Sequence, residues 1–392
     1  MLLEFFPILM WVFFLFILSF YGCYSVVLYY YYRKSHSHEK NYNFIHPTIS
    51  IIVPVHNEES IIAQKVQNIE ELIYPKDKIE VIFVDGQSKD KTREIILDQA
   101  QKCQKSIRLI KQEKRDGYTN AVITGILGSK GEVIVAMDAA SYHYPDAMEH
   151  LVKHFSDPKI GVVTGKEIVL GDTRQTGPQL EKSYRFFYDF MRSAETEIDS
   201  TPDSKGEILA VRREICLELI PRLKLSTNAS FDSCVPYQAK LMDYRTVYEQ
   251  QAKYYEYAPA SSNDRLRVQI RRATVLIVAM FLFKRMLLNK KYGKFGLVIF
   301  PAHFVLDCIL PSLFMAGIIT MIISAFLNPV SVLPFLIIAT IALVVSNKTR
   351  SVLLSFIQSQ LALFFAIFRV IRRRDSLFIE SIPSTRAYAR PE

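Results

Sequence analysis

Both ends of this chain are too apolar to fold as ordinary water-facing helices, and its middle is not. Any fold must therefore join a soluble unit to a lipid-facing one. Residues 2–32 are almost wholly apolar or aromatic, longer than the roughly 20 residues that cross a bilayer. The run has no basic start and no small-residue cleavage site, so residues 1–33 read as an anchor and not as a secretory leader. Glu4 lies near its start, and Arg33 and Lys34 follow its core. The positive-inside rule then puts the domain after the anchor on the cytoplasmic face of the cell membrane. Tyr29, Tyr30, Tyr31 and Tyr32 would form an aromatic belt at the interface.

The C-terminal end repeats the pattern. Residues 273–288 are apolar but interrupted by Lys284 and Arg285, so residues 273–294 read as an amphipathic helix lying in the interface. Residues 295–371 form a second membrane region, with spans expected at 295–326 and 329–345. Residues 352–371 are long enough to cross but carry Ser355, Gln358, Ser359 and Gln360, with basic residues at both ends. Charge therefore does not orient this segment. If it crosses, the C-terminus lies outside; if it lies in the plane or re-enters, the basic tail 372–392 stays cytoplasmic, and that second arrangement is the one expected. Its Gln and Ser residues would line a lipid or glycan path, or bond between helices. Asp307 is costly in lipid, so it should face protein or water.

The formal net charge is +9, and the basic groups Arg33-Lys34, Lys290-Lys291 and Arg372-Arg373-Arg374 stand beside apolar segments. That pattern suits a membrane face, and no zinc-finger or RNP spacing points to nucleic acid. The five cysteines are scattered and never in C-x-x-C spacing, so neither a disulfide framework nor a zinc site is expected.

Residues 34–272 form the soluble unit. Strands are expected at 49–55, 79–84, 107–110 and 133–137, with helices near 59–72, from Asp90 onward, and at 117–127. Strand and helix alternating at this spacing make a Rossmann-like α/β domain with a mostly parallel sheet. Acidic or polar residues follow the first, second and fourth strands, at Asn57-Glu58, Asp85 and Asp138. They would converge on the edge where open α/β sheets bind ligands. A carboxylate such as Asp138 there would hold a divalent metal on a diphosphate, or simply cap the next loop. Neither G-x-G-x-x-G nor G-x-x-x-x-G-K-[ST] occurs, which argues against a dinucleotide oxidoreductase or a P-loop NTPase.

An ordered set of motifs resembles the membrane-anchored family 2 glycosyltransferases of GT-A fold, a superfamily that includes cellulose, chitin and hyaluronan synthases. VPVHNEE at 53–59 looks like the family's first-strand motif, and VDGQSKDKT at 84–92 like its D-G-S-x-D-x-T element. KRDG at 114–117 resembles the loop before its third helix, and VAMDAAS at 135–141 falls at its D-x-D. GEILAVRRE at 206–214, Asp232 four residues before Pro236, DYRTVY at 243–248 and QIRR at 269–272 resemble later segments. Four positions depart: Ala140 replaces the second acid of D-x-D, Tyr118 stands where relatives often have Lys, Phe231 stands where many relatives have a further acid beside Asp232, and Ala273 replaces the Trp of Q-x-x-R-W.

The resemblance implies a UDP- or GDP-sugar donor and a role for each residue. Asn57, Glu58 and Asp85 would line the nucleoside pocket, and Arg115 would pair with a donor phosphate. Asp138 would hold Mg²⁺ or Mn²⁺ with diphosphate oxygens and water completing the shell. Asp232 would be the general base of an inverting transfer, or else the cap of a helix at 233–242. Gln269, Arg271 and Arg272 would approach the acceptor or the diphosphate, or face anionic lipid. Asp90 reads as a helix cap. The expected function is transfer of a sugar to a lipid-linked or glycan acceptor at the membrane. Two rivals stand beside it: a polyprenyl-phosphate sugar synthase, and a non-catalytic nucleotide-sugar-binding scaffold of a polysaccharide assembly. Loss of the Trp argues against a cellulose-like, processive reaction.

Overall fold

A computed structural model describes residues 2–35, 46–172, 176–226 and 229–372. The expected basic tail lies outside them apart from Arg372. The soluble unit is one sheet of eight strands: β1 (Ile49–Val55), β2 (Ile79–Asp85), β3 (Ser106–Lys111), β4 (Val133–Met137), β5 (Tyr142–His143), β6 (Ile160–Leu170), β7 (Ile208–Arg212) and β8 (Arg245–Tyr257). Their order is β3-β2-β1-β4-β7-β6-β8-β5. The first four are mutually parallel, with Val55 level with Asp85 and Asp85 level with Lys111, so their carboxyl ends share one edge. Strand β7 then runs antiparallel to both β4 and β6, and β8 is parallel to β6. The sheet is thus mixed, with a parallel nucleotide-facing half.

The sheet buries both faces, and this is why β4 is apolar at every position. Helix α1 (Leu2–Ser35) precedes it. The sheet is flanked by α2 (Ile62–Glu70), α3 (Thr92–Lys102), α4 (Gly117–Leu127), α5 (Ala147–Val152), α6 (Thr176–Ile198), α7 (Arg213–Lys224) and α8 (Phe231–Leu241). Side chains of α2, α3 and α5 fill one core, and those of α4 and α6–α8 the other. Gly125 lets α4 lie close on β1: a Cβ there would come within 2.5 Å of the Ile52 side chain.

Helix α9 (Ser262–Leu282) leads from β8 to the C-terminal apolar region. It is capped by Ser261, whose hydroxyl accepts from the Asp264 amide at 3.0 Å, and it runs unbroken through the domain boundary expected at 272/273. Residues expected to form a separate interface helix are therefore its second half plus two short 3₁₀ turns. Helix α10 follows as one apolar segment (Phe295–Leu327), with π-helical turns at Phe295–Ile299 and Val305–Ile309. One face of its first turns packs against the domain, while Leu297 and Val298 are exposed. Phe295, Ile299 and Phe300 are fully buried, and both phenylalanine rings pack on Tyr237 of α8, at 6.0 and 5.2 Å. The remaining Leu310–Leu327, 18 residues, rises about 27 Å, close to a hydrocarbon thickness.

Among the described residues three helices are long and apolar enough to cross a membrane: Glu4–Arg33, Phe295–Leu327 and Asn347–Ile371. The span expected at 329–345 is a shorter apolar helix, Pro329–Val344, whose regular part is α11 (Leu333–Val344). Ser346 ends it by leaving the helix and capping the next one, α12 (Asn347–Ile371). The polar residues of α12 bond to protein. Gln358 accepts from Arg265 Nη1 and donates to the Ser262 carbonyl at 2.7 Å, Ser355 donates to the Leu180 carbonyl at 3.0 Å, and Gln360 donates to the Tyr21 hydroxyl at 3.1 Å. Gln358, Ser355 and Gln360 thus bond between helices, while Ser359 donates to the Ser355 carbonyl within α12 at 2.8 Å and lines a cavity.

Candidate active site

The carboxyl edge of the parallel strands carries the first group of expected residues. Asn57, with φ +55°, turns the chain after β1; its amide donates to Ser88 Oγ at 3.0 Å, and its Oδ1 accepts from the Lys89 amide at 2.8 Å. Asn57 is thus largely spent in joining two loops. Glu58 is buried, and its amide donates to Thr92 Oγ1 at 2.8 Å. Asp85 is fully buried at the end of β2. One oxygen accepts from the Ser88 amide at 3.0 Å; the other has no hydrogen bond and lies 3.6 Å from Arg93 Nε. Asp90 accepts from the Thr92 and Glu59 amides, at 3.0 and 3.1 Å, just ahead of α3, whose N-cap position is Lys91 and not the expected Asp90. Arg115 is exposed on the loop before α4, with no ion pair among the described residues.

Asp138 stands half-buried at the end of β4, where Oδ1 accepts from the Ala140 amide at 3.3 Å. Among the described residues no three His, Cys, Asp or Glu side chains gather as a metal site. A single strand-end carboxylate fits a divalent ion only if a diphosphate and water supply the other oxygens, so such an ion would bind together with the donor. Beneath the 138–141 turn lies a feature the sequence reading missed. Lys65 is fully buried, donates to the Ser141 carbonyl at 2.7 Å and stands 3.3 Å from His143 Nδ1. Burial pushes its ammonium down to about 7, against the pull of Asp138. Burial and Lys65 together hold His143 neutral, and its Nε2 lies 2.9 Å from the Glu207 carbonyl. The signal in the sequence was a lysine on the apolar face that Ile62, Val66 and Ile69 define in α2.

Asp232 lies inside the first turn of α8, which starts two residues earlier than the expected 233. The N-cap position is Ser230 and not Asp232; the Ser230 hydroxyl donates to the Asp232 carboxylate and accepts from no helix amide. Its main-chain carbonyl accepts from Ser204 Oγ at 2.6 Å. Burial raises the Asp232 carboxyl above its ordinary value, with nearby Glu207 adding to this and Ser230 opposing it. Tyr118 sits beside it, donating to the Gly206 carbonyl at 3.4 Å. Gly206 leaves little room: a Cβ there would stand 2.6 Å from the Tyr118 hydroxyl and 3.4 Å from Asp232 Oδ2.

The two arginines of α9 part company. Arg272 is held by Glu207 at 2.9 Å, Glu256 at 3.3 Å and Glu181 at 3.9 Å. These partners come from three separate segments, and the guanidinium ties α9 to the sheet. Burial, then Glu207, pushes the Glu256 carboxyl up to about 8. Arg271 is exposed, and Asp138, Glu207 and Asp232 are the acids that act on it. It is the α9 cation that faces the cleft between the strand-end acid and Asp232. Gln269 accepts from Arg265 Nη1 at 3.2 Å, while its buried Nε2 has no partner and lines a cavity. That cavity, about 100 Å³, runs from Asp232 to Asp307 between α6, α9, α10 and α12. Asp307 is 4% exposed, so it faces protein and the cavity, as its cost in lipid required.

Comparison with known proteins bears on the family and the fold. Residues 50–219 match the family described as "Glycosyl transferase family 2". A probable glycosyltransferase, YdaM, of Bacillus subtilis is 33% identical over 123 residues, covering 31% of this chain and 29% of that protein. The beta-monoglucosyldiacylglycerol synthase of Trichormus variabilis is 27% identical over 172 residues, covering 43% and 36%. The chain thus spans about a third of the length of these curated relatives. The fold matches the mannosyltransferase PcManGT from Pyrobaculum calidifontis, solved in complex with GDP-Man and Mn2+, with a TM-score of 0.74 at 23% identity over 94% of this chain and 99% of that one. The α/β domain thus belongs to glycosyl transferase family 2, in a GT-A-like fold carried on apolar helices at both ends.

Proposed function

We propose that the protein is a membrane-integrated inverting glycosyltransferase, which moves a sugar from a UDP- or GDP-sugar to a lipid-linked or glycan acceptor at the cytoplasmic face of the cell membrane. The observation that carries this reading is the cavity joining Asp232 to Asp307: one end is a carboxylate with a raised pKa beside the donor edge, the other a membrane helix. Arg33 at the inner end of the first anchor supports the cytoplasmic side.

In this reading Asp85, with its unbonded oxygen, accepts a hydrogen bond from the nucleoside. Asp138 and Arg271 face the diphosphate. A bound Mg²⁺ or Mn²⁺ would neutralise charge on that diphosphate. Asp232 takes the proton from the acceptor hydroxyl as its oxygen attacks the anomeric carbon, while Ser230 holds its carboxylate and Ser204 its main-chain carbonyl. Lys65 and His143 fix the 138–141 turn against the strand that carries Glu207, which keeps the donor edge and α9 in register.

The test is nucleotide release by the full chain in lipid, with a panel of UDP- and GDP-sugars, Mg²⁺ or Mn²⁺ and a membrane lipid extract. Release with one donor should fall about 10²- to 10⁴-fold in Asp232→Asn. Donor binding without release, unchanged by the substitution, would instead support a scaffold.

A further inference from the structure

The cavity beneath the site is built for one kind of acceptor. We propose that the acceptor is a membrane lipid whose reacting group is a hydroxyl on an uncharged headgroup, and not a lipid phosphate; this rests on the transferase reading above. The cavity is amphipathic along its length. Asp232 and Ser204 line it beside the donor edge, Ala273, Leu276, Ala362 and Leu363 line it from α9 and α12, and Asp307 adds a carboxylate from α10. A ligand that fills it has a polar tip and an apolar body.

Charge selects the tip. Five carboxylates line the cavity, from Glu181, Asp203, Glu207, Asp232 and Asp307, against three cations. Two of the cations are already engaged. Arg185 is held at 2.8 Å by both Glu167 and Glu181, and Arg272 at 2.9 Å by Glu207. The third, Lys205, has Asp203 and Glu167 as its opposing charges. A phosphate monoester would bring about −1.5 to −2 more charge into this lining at pH 7, with no unengaged guanidinium to receive it.

The unused polar atoms point the same way. Gln269 Nε2 is buried without a hydrogen-bond partner, and Asp307 Oδ2 is buried without a hydrogen bond, 3.6 Å from His303 Nδ1. One accepts and the other donates, as a hydroxyl needs. Both line the same cavity as Asp232. A hydroxyl nucleophile also requires a base, whereas a phosphate oxygen arrives already ionised. As the acceptor oxygen bonds to the anomeric carbon, the bond from that carbon to the diphosphate breaks. Its electron pair leaves with the nucleoside diphosphate, and the hydroxyl proton moves to Asp232.

The hydroxyl has two possible sources, the glycerol of a neutral diacyl lipid or a sugar already carried on one, and both are tested. The full chain is placed in phosphatidylcholine vesicles doped with diacylglycerol, with a monoglycosyl diacylglycerol, or with a polyprenyl phosphate, and offered the UDP- and GDP-sugar panel. Release should be roughly tenfold or more faster with one of the neutral lipids than with the phosphate. Fastest release with polyprenyl phosphate overturns the proposal and leaves the transferase reading standing. No release with any donor and lipid overturns both. Asp307→Asn should raise the KM for the neutral lipid about fivefold with kcat nearly kept, and Asp307→Glu should recover it. Should Asp307→Asn not fold, Gln269→Leu gives the same readout from α9. A lipid KM that neither substitution moves overturns the assignment of the headgroup to this cavity.

Discussion

Gly206 is where the site should be least forgiving of added volume. Its replacement by alanine adds one methyl group, in a backbone conformation that any residue adopts. That methyl would stand 2.6 Å from the Tyr118 hydroxyl, 3.3 Å from its Cζ and 3.4 Å from Asp232 Oδ2. The first distance is roughly 1 Å inside ordinary contact, so the tyrosine ring must swing away and the Asp232 carboxylate is crowded. Overpacking of this kind costs about 1–3 kcal/mol of stability. A displacement near 1 Å beside a catalytic group costs up to about 100-fold in rate. Gly206→Ala should therefore lower kcat for nucleotide release by roughly 10- to 100-fold while the protein stays folded. The cause is checked with Tyr118→Phe, which removes the atom in conflict. In the Tyr118→Phe background, Gly206→Ala should cost at least about fivefold less than in the wild type, a coupling of about 1 kcal/mol. Equal losses in both backgrounds would refute the steric reasoning, and an unaffected Gly206→Ala would show that this wall does not bear on Asp232.

Three further outcomes are expected. Glu181 is held at about 2, because Arg185, Arg265 and Arg272 overcome the upward push of burial. Its contribution to stability is present above its ordinary value of 4.5 and is lost as pH falls toward about 2; Glu181→Gln should cost about 3–5 kcal/mol at neutral pH by removing the carboxylate paired with Arg265 and leaving Arg185 with Glu167 alone, read by thermal unfolding. Asp232 has the opposite sign. Burial raises its folded carboxyl, so the folded state binds more protons and loses stability as pH rises through that value. Asp232→Asn should thus unfold at a higher temperature than wild type at pH 7, and activity in the wild type should fall on the acid side as the carboxyl protonates. Arg271→Gln should lower kcat/KM for the donor by roughly tenfold or more with little change in unfolding temperature, whereas Arg272→Gln, which breaks the pairs to Glu207 and Glu256, should lower that temperature.

What could be read in the sequence was what local chemistry decides. Strand β4 and helix α4 fall at the expected bounds because continuous apolar runs and a glycine start are local signals. Asp307 was placed correctly by its cost in lipid. Strand β8 was not read, because its sequence RTVYEQQAKYYEY carries charges that serve partners elsewhere: Glu249 pairs with Lys153 and His154, and Glu256 with Arg272. Arg271 and Arg272 are neighbours with the same side chain, and nothing local separates them. Only the arrival of Glu181, Glu207 and Glu256 from distant segments makes one a tie and leaves the other open. The boundary drawn at 272/273 failed for a similar reason: hydropathy changes there, but the helix has no residue that would end it.

The buried face of the first turns of α10 has a mechanical meaning. Tyr237, Phe295 and Phe300 lock the start of this helix into the domain that holds Asp232, and its last 18 residues continue into the apolar region. In the proposed function the same rod would set how high Asp232 rides above the bilayer. A fixed height is a gauge. A headgroup whose hydroxyl stands at that level reaches the anomeric carbon while its tails stay in the leaflet. One that is too short falls below it, and one extended by the newly added sugar overshoots. Stopping after a single addition would then follow from distance alone, with no need for a closing lid or a partner to measure the product.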